Sequence, residues 1–169
     1  MKPTDLAYAA GLIDGEGYIG IKKFKAYKCQ GRVTPGYQPR IQVRMVDEAA
    51  IKWLAQLFGG WYYPEKPHCN KGRPLFCYQA SDTSALRVVV AIAPYLKIKQ
   101  QQVALLLTLA RVKKRKKIKR LAHIQNSRWG QPMKTWRRVV APETLAKMEK
   151  LWIACRNLNG WVRHPRKIP

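Results

Sequence analysis

Four side chains at alternate positions, Gln38, Arg40, Gln42 and Arg44, are of the two types that pair bidentately with adenine and guanine edges in a major groove, and no acid interrupts them. Plain solvation of a polar strand face is the alternative use of such a row. Further on, Arg111 to Arg120 reads RVKKRKKIKR, eight cations in ten residues. As a solvated helix end this block repels itself, whereas a phosphate backbone would neutralise it. Lys113, Lys114, Arg115, Lys116 and Lys117, followed later by Arg137 and Arg138, are therefore expected to touch phosphate, which adds affinity without sequence information. One acid stands apart from this cationic chemistry. Glu16 lies between Gly15 and Gly17, at the end of a run of very small residues.

The elements that must position these groups follow from periodicity. In Leu6 to Ile21, LAYAAGLIDGEGYIGI, residues Ala7, Ala10, Gly11 and Asp14 fall at i, i+3, i+4 and i+7 and share one helix face with almost no side chain on it. A second backbone can approach such a face closely. Thr4 or Asp5 is expected to cap the helix, and Gly15-Glu16-Gly17 to end it in a glycine turn. An ordinary core helix with a glycine cap is the alternative.

Tyr18 to Lys28 then reads as a strand, with Ile19 and Ile21 on one face and Tyr18, Gly20 and Lys22 on the other; these three and Lys28 are expected to contact nucleic acid. A loop with Gly31, Pro35 and Gly36 turns it back into Tyr37 to Val46, where Pro39, Ile41, Val43 and Met45 lie opposite the Gln/Arg row. Asp47-Glu48 caps a helix to about Phe58, and Gly59-Gly60 stops it. Trp61 to Pro64 and Leu75 to Ala80 form a second strand pair. Ser81-Asp82 caps a helix with Leu86, Val89, Val90 and Ala93 at helical spacing. An apolar helix, Val103 to Val112, and a last one from about Pro142 to Asn157 complete the series, the latter with Leu145, Met148, Leu151, Trp152 and Cys155 as its buried stripe.

Composition bounds the ligand. The 33 Lys and Arg against nine Asp and Glu leave a net charge of +24, so the expected partner is a polyanion, either nucleic acid or an anionic membrane surface. No apolar run approaches the ~20 residues of a membrane span and no signal peptide opens the chain. The expectation is an intracellular protein, in the cytoplasm or nucleoid of a prokaryote or in an organelle, neither secreted nor membrane-bound. With 169 residues, the chain is read as a core, 1–112, and a basic and helical extension, 113–169, packed on that core and touching the phosphate backbone of a nucleic acid. Cys29, Cys69, Cys77 and Cys155 have no C-x-x-C spacing, and although His68 adjoins Cys69 no second pair completes a zinc site, so free thiols are expected.

Ala9-Ala10-Gly11-Leu12-Ile13-Asp14-Gly15-Glu16-Gly17 resembles the nine-residue motif of the LAGLIDADG homing endonucleases, with Glu16 in place of the motif's last Asp. The element order helix, strand, strand, helix, strand, strand, helix resembles that family's as well. The resemblance implies an α+β fold in which four antiparallel strands form a saddle over DNA with helices on the opposite face. It implies that Glu16 and the Gly15 carbonyl hold Mg²⁺, or another divalent cation such as Mn²⁺, at the scissile phosphate. Lys99, in Pro94-Tyr95-Leu96-Lys97-Ile98-Lys99, matches a lysine that reaches toward the active site in relatives. A solvent-exposed lysine at a helix start is the alternative. Asp47 matches a polar position near the attacking water, or is a simple helix cap. Relatives with one motif copy act as homodimers through crossed motif helices, which here assigns Ala7, Ala10, Gly11 and Asp14 to the dimer interface.

The activity these features imply is metal-dependent hydrolysis of both strands of double-stranded DNA at a long, pseudo-palindromic site. By the same resemblance, it would serve the homing of an intron or intein. Two rivals use the same surface: an RNA-binding maturase acting on its own intron RNA, and a non-catalytic nucleic-acid-binding protein.

Overall fold

The structure is a computed structural model that describes residues 1–26, 34–65, 74–114, 118–126 and 132–160, with only the backbone described for 118–126 and 132–139. The core runs α1 (Pro3–Glu16), β1 (Gly17–Phe24), β2 (Gly36–Met45), α2 (Glu48–Phe58), β3 (Trp61–Pro64), β4 (Phe76–Ser81) and α3 (Thr83–Ile92). A 3₁₀ turn (Ala93–Tyr95) leads into α4 (Gln100–Lys114), followed by β5 (Ile118–Asn126), β6 (Pro132–Val140) and α5 (Pro142–Leu158).

The four core strands form one antiparallel sheet in the order β1-β2-β4-β3. Their alternation buries one face only: Ile19, Ile41, Val43 and Tyr78 lie fully inside against Ile13 of α1, Val88 and Ile92 of α3, and Leu106 of α4. The α+β architecture expected from the sequence, a four-stranded sheet with helices on one face, is the one observed.

Local details differ from the sequence expectations for identifiable reasons. Neither Thr4 nor Asp5 caps α1. The helix starts earlier, with Lys2 at the cap position, Pro3 in the first turn and no side-chain cap, because proline's fixed φ suits that position. Its other end is not a left-handed glycine turn. Helix α1 continues through Glu16 and passes straight into β1 at Gly17, whose φ of −87° and ψ of 158° are extended. Glycine is needed there for space, since a Cβ on Gly17 would lie 2.6 Å from the Ile13 carbonyl oxygen. Glu16 is thus fixed at the junction of a helix and a strand.

In α3 the buried stripe is Ala85, Val88, Val89 and Ile92, and Val90 faces solvent. A helix this apolar has no period of its own to select a face, so the sheet beneath it decides. Asp82 precedes α3 at a positive φ of 51° and makes no capping bond; its carboxylate pairs with Lys113 Nζ at 2.6 Å.

The extension ends in the expected helix, and α5 buries Met148 and Cys155 against the body. It also holds a hairpin of β5 and β6, which the periodicity reading did not foresee within so cationic a stretch. Helix α5 closes the open edge of β1. Asn159 Nδ2 donates to the Ile19 carbonyl at 3.0 Å, and the Cys155 thiol donates to the same oxygen at 3.9 Å. Lys23 pairs with Glu149 at 2.6 Å, and the Tyr37 hydroxyl donates to the same carboxylate. An edge strand left open invites pairing with another chain, and a covering helix prevents it.

Candidate nucleic-acid interface

At the foot of α1 two residues of the sequence reading come together. Glu16 is exposed at the last position of the helix. Lys99 reaches it from the start of α4, donating from Nζ to the carbonyl oxygens of Ile13 (2.7 Å) and Asp14. Burial lowers the Lys99 pKa below the usual lysine value, and the carboxylates of Asp14 and Glu16 offset part of that. The Asp14 carboxylate in turn accepts three successive amides, from Lys97 (2.6 Å), Ile98 (3.1 Å) and Lys99 (3.0 Å). Burial opposes its charge, but these donors and the Lys99 cation win, and its pKa lies below the ordinary aspartate value.

Asp47 lies at the same end of the sheet, because Gly17 pairs with Val43 and β2 runs on toward it. Its Oδ1 accepts from the Ala50 amide at 3.1 Å, so the capping role is the one the geometry displays.

The open face of the sheet carries the row read from the sequence. Tyr18 lies opposite Gln42, Gly20 opposite Arg40 and Lys22 opposite Gln38. A cavity of about 630 Å³ brings Glu16 together with Tyr18, Lys22, Arg40, Gln42 and Arg44. Gly20 offers no surface of its own. It is buried beneath the Tyr18 ring, which occupies the place a Gly20 side chain would take. Burial, with the neighbouring Cys155, raises the Tyr18 phenol above its usual pKa, and the Arg40 cation opposes this. Burial and the Arg40 charge lower the pKa of Lys22.

Several residues on this face were missed. Trp61 and Tyr63 of β3 pair with Gln79 and Cys77 of β4, which places all four beside Gln42 and Arg44. The Gln42 amide lies against the Cys77 sulfur at 3.1 Å, and Arg44 Nε pairs with Glu65 at 2.8 Å. Trp152 and Arg156 of α5, with Asn159 directly after it, also line the cavity. A four-residue strand is too short for its alternation to be read, so the aromatic and polar pattern at 61–63 was the only available signal.

The exposed small-residue face of α1 is turned from the one read by spacing. Ala7 and Gly11 are exposed, but Ala10 is fully buried in the core of this chain and Asp14 is held by the 97–99 amides. Gly15 is exposed, with open space where a side chain would be.

Among the phosphate candidates, Lys114 is exposed and Lys113 is paired with Asp82. Arg137 and Arg138 lie on β6, opposite Leu121 and Arg120. Lys28, Arg115, Lys116 and Lys117 lie outside the described residues, as do Cys29, His68 and Cys69. Cys77 and Cys155 are free and buried. Among the described residues no group of three His, Cys, Asp or Glu gathers into a metal site, and no helix is long and apolar enough to cross a membrane.

No family model and no curated protein matches the chain. Solved structures do. The homing endonuclease I-CvuI in complex with its target superposes with a TM-score of 0.66 at 14% identity, over 98% of this chain and 87% of that one. The archaeal intron-encoded homing endonuclease I-Vdi141I complexed with DNA gives 0.62 at 13% identity, over 98% and 89%. The LAGLIDADG homing endonuclease I-GzeII in complex with its DNA target gives 0.51 at 14% identity, over 64% and 36%. Helix α1 carrying Glu16 into a four-stranded sheet, and superpositions of which the first two run along nearly the whole chain, identify the fold as that of the LAGLIDADG homing endonucleases.

Proposed function

We propose that the chain is a site-specific DNA endonuclease that works as a homodimer on a nearly palindromic duplex. One observation carries this reading: the exposed Glu16 carboxylate shares its cavity with Lys22, Arg40, Gln42 and Arg44. An acid in a groove of cations and base-reading side chains weakens DNA affinity unless it serves chemistry at the phosphate. The similar folds crystallised with DNA targets support the same substrate.

In this reading the open face of the sheet enters the major groove, which admits a β-ribbon, and Gln38, Arg40, Gln42 and Arg44 meet base edges. Residues 113–169 contribute phosphate contacts through Lys114 and neighbouring cations. The protein acts where DNA is, inside a cell or organelle, and its cut serves the mobility of the element that encodes it.

Glu16 and the Gly15 carbonyl are the hard oxygen donors this chain offers to Mg²⁺ or Mn²⁺, a class that suits such ions. Such an ion would be held through one or two carboxylates, with waters and phosphate oxygens filling the rest. When bound, the ion supplies charge neutralisation at the phosphate and a more acidic water. Lys99 does two things for this centre: it holds the last turn of α1, and it places a cation beside the carboxylate. The exposed face of α1, Ala7 and Gly11 with Gly15, is bare enough for a second α1 to cross it, which brings the two Glu16 side chains together.

The test is selection of cut ends from a randomised duplex library, with Mg²⁺ or EDTA, by the wild type and Glu16→Gln. Ends mapping to one long palindromic site, formed only with metal and only by the wild type, are expected. Enrichment of bound DNA without any cut ends would leave a binding protein and overturn the nuclease.

A further inference from the structure

Besides Glu16, one of the chain's nine acids, Glu65, stands by the open face of the sheet, where it pairs with Arg44 Nε at 2.8 Å. The Glu65 side chain is only 9% exposed while that of Arg44 is 56% exposed. Glu65 is itself anchored, since its amide donates to the Leu75 carbonyl at 2.8 Å across the end of the β3–β4 pair. Gln42 shares the Nε edge of the guanidinium; with its amide turned so that the oxygen faces Arg44, that oxygen accepts from Nε at 3.1 Å and Nη2 at 3.2 Å. The same turned oxygen lies 3.1 Å from the Cys77 sulfur and 3.5 Å from the Tyr63 hydroxyl, either of which can donate to it.

We infer that Glu65 is a positioning residue for sequence reading: it fixes the Arg44 guanidinium so that its outer edge, Nη1 with Nη2, meets guanine O6 and N7 at one position of each half-site. This rests on the proposed DNA-binding role of the sheet and deepens it. The physical ground is twofold. An acid on a surface that binds phosphate opposes affinity by its charge, so affinity does not account for it. What a carboxylate on Nε does supply is orientation. An arginine has several rotatable bonds, and a bidentate base contact needs its planar fork in one pose. With Nε occupied, the edge left for a base is the symmetric Nη pair, which matches the two guanine acceptors.

The experiment is binding selection on a randomised duplex library with Ca²⁺ as the divalent cation, comparing wild type, Glu65→Ala, Arg44→Ala and the double variant. In the wild type one G·C pair in each half-site is enriched, by roughly tenfold or more over other bases. Glu65→Ala flattens the preference at that pair alone, while affinity for unrelated duplex rises or stays level. Arg44→Ala flattens the same pair, and adding Glu65→Ala to it changes nothing more. If Glu65→Ala tightens binding to every sequence equally and keeps the wild-type preferences, Glu65 merely shields a charge and the inference fails. Loss of preference at many positions, or a further change in the Arg44→Ala background, assigns Glu65 a structural role and overturns it too. A wild type that enriches no sequence overturns the DNA reading itself, an outcome distinct from the others.

Discussion

Lys99 Nζ lies 2.7 Å from the carbonyl oxygen of Ile13, 86 residues away in sequence. The last turn of α1 has no basic residue of its own. The C-terminal end of a helix carries partial negative charge, and here Glu16 adds a full one, so the cation that offsets both comes from the start of α4. This contact ties the motif helix to the 97–99 loop and fixes where Glu16 stands.

Replacing Lys99 by Met should therefore act on cutting more than on binding. The side chain keeps most of its length but loses its charge and both carbonyl bonds. The expected loss is roughly 10²-fold or more in single-turnover cleavage, by analogy with removal of one preorganised electrostatic group, with DNA affinity within a fewfold of wild type. A parallel loss in both would mean that Lys99 is simply another phosphate contact.

Asp14 gives the fold an acid limit. Its folded pKa lies below the aspartate value of 3.8, so the unfolded chain takes up a proton first as pH falls. The stabilisation from its three amide bonds is thus complete above about pH 5 and fades as pH drops through the folded pKa. Asp14→Asn, which retains one acceptor and no charge, should cost about 2 kcal/mol at pH 7 and flatten the dependence between pH 5 and 3. Denaturant titrations of the two proteins across that range provide the check. An unchanged slope would assign the acid limit to other carboxylates, such as Glu149.

Tyr18 over Gly20 makes a steric prediction. Gly20→Ala puts its Cβ where the phenol ring lies, so the ring must swing aside, which should destabilise the protein by about 1 kcal/mol, the cost of an off-rotamer side chain. In a Tyr18→Ala background the same substitution should cost little or nothing, because the space is then free. Thermal melts of the four proteins close the cycle, and additive effects would sink the idea that the ring covers Gly20.

A cationic surface on this scale makes binding steep in salt. If a dimer neutralises on the order of ten phosphates, the logarithm of the binding constant should fall with the logarithm of salt at a slope near −9. Fluorescence anisotropy on duplex DNA measures it directly. A slope near zero would count against DNA as the ligand altogether.

What the sequence disclosed, and what it concealed, has physical causes. Alternation revealed β2 completely, because Pro39, Ile41 and Val43 are buried while Gln38, Arg40 and Gln42 are less so, and one period settles both faces. Helix α1 was legible as a helix but not in its orientation: Ala7, Ala10 and Gly11 are too alike for spacing to say which of them the core takes, and packing took Ala10. Gly17 was read as a turn glycine when its reason is the closeness of Ile13, a contact no local pattern announces. Glu65 escaped because an ion pair across a sheet is a tertiary fact; nothing near position 65 points at Arg44. The hairpin of β5 and β6 escaped because its cations dominate the composition of the segment.

Helix α5 supplies the last prediction. Cys155 is buried against β1, and burial pushes its thiol up to about 11, a value that its bonds to the Ile21 backbone and Asn159 only partly reduce. At pH 8 very little thiolate forms, and what forms is shielded, so Cys155 should resist alkylation in the native protein. Met148 is the other buried anchor of the helix, and Met148→Ala should remove about 2–5 kcal/mol of packing. Loosening α5 exposes the edge of β1 as well as the thiol. The variant is expected to label at Cys155 far faster than wild type and to self-associate, while Cys77, buried in the sheet, labels at an unchanged rate. Mass spectrometry of alkylated peptides resolves the two thiols. Rapid labelling of Cys155 in the wild type would mean that the helix does not seal the strand.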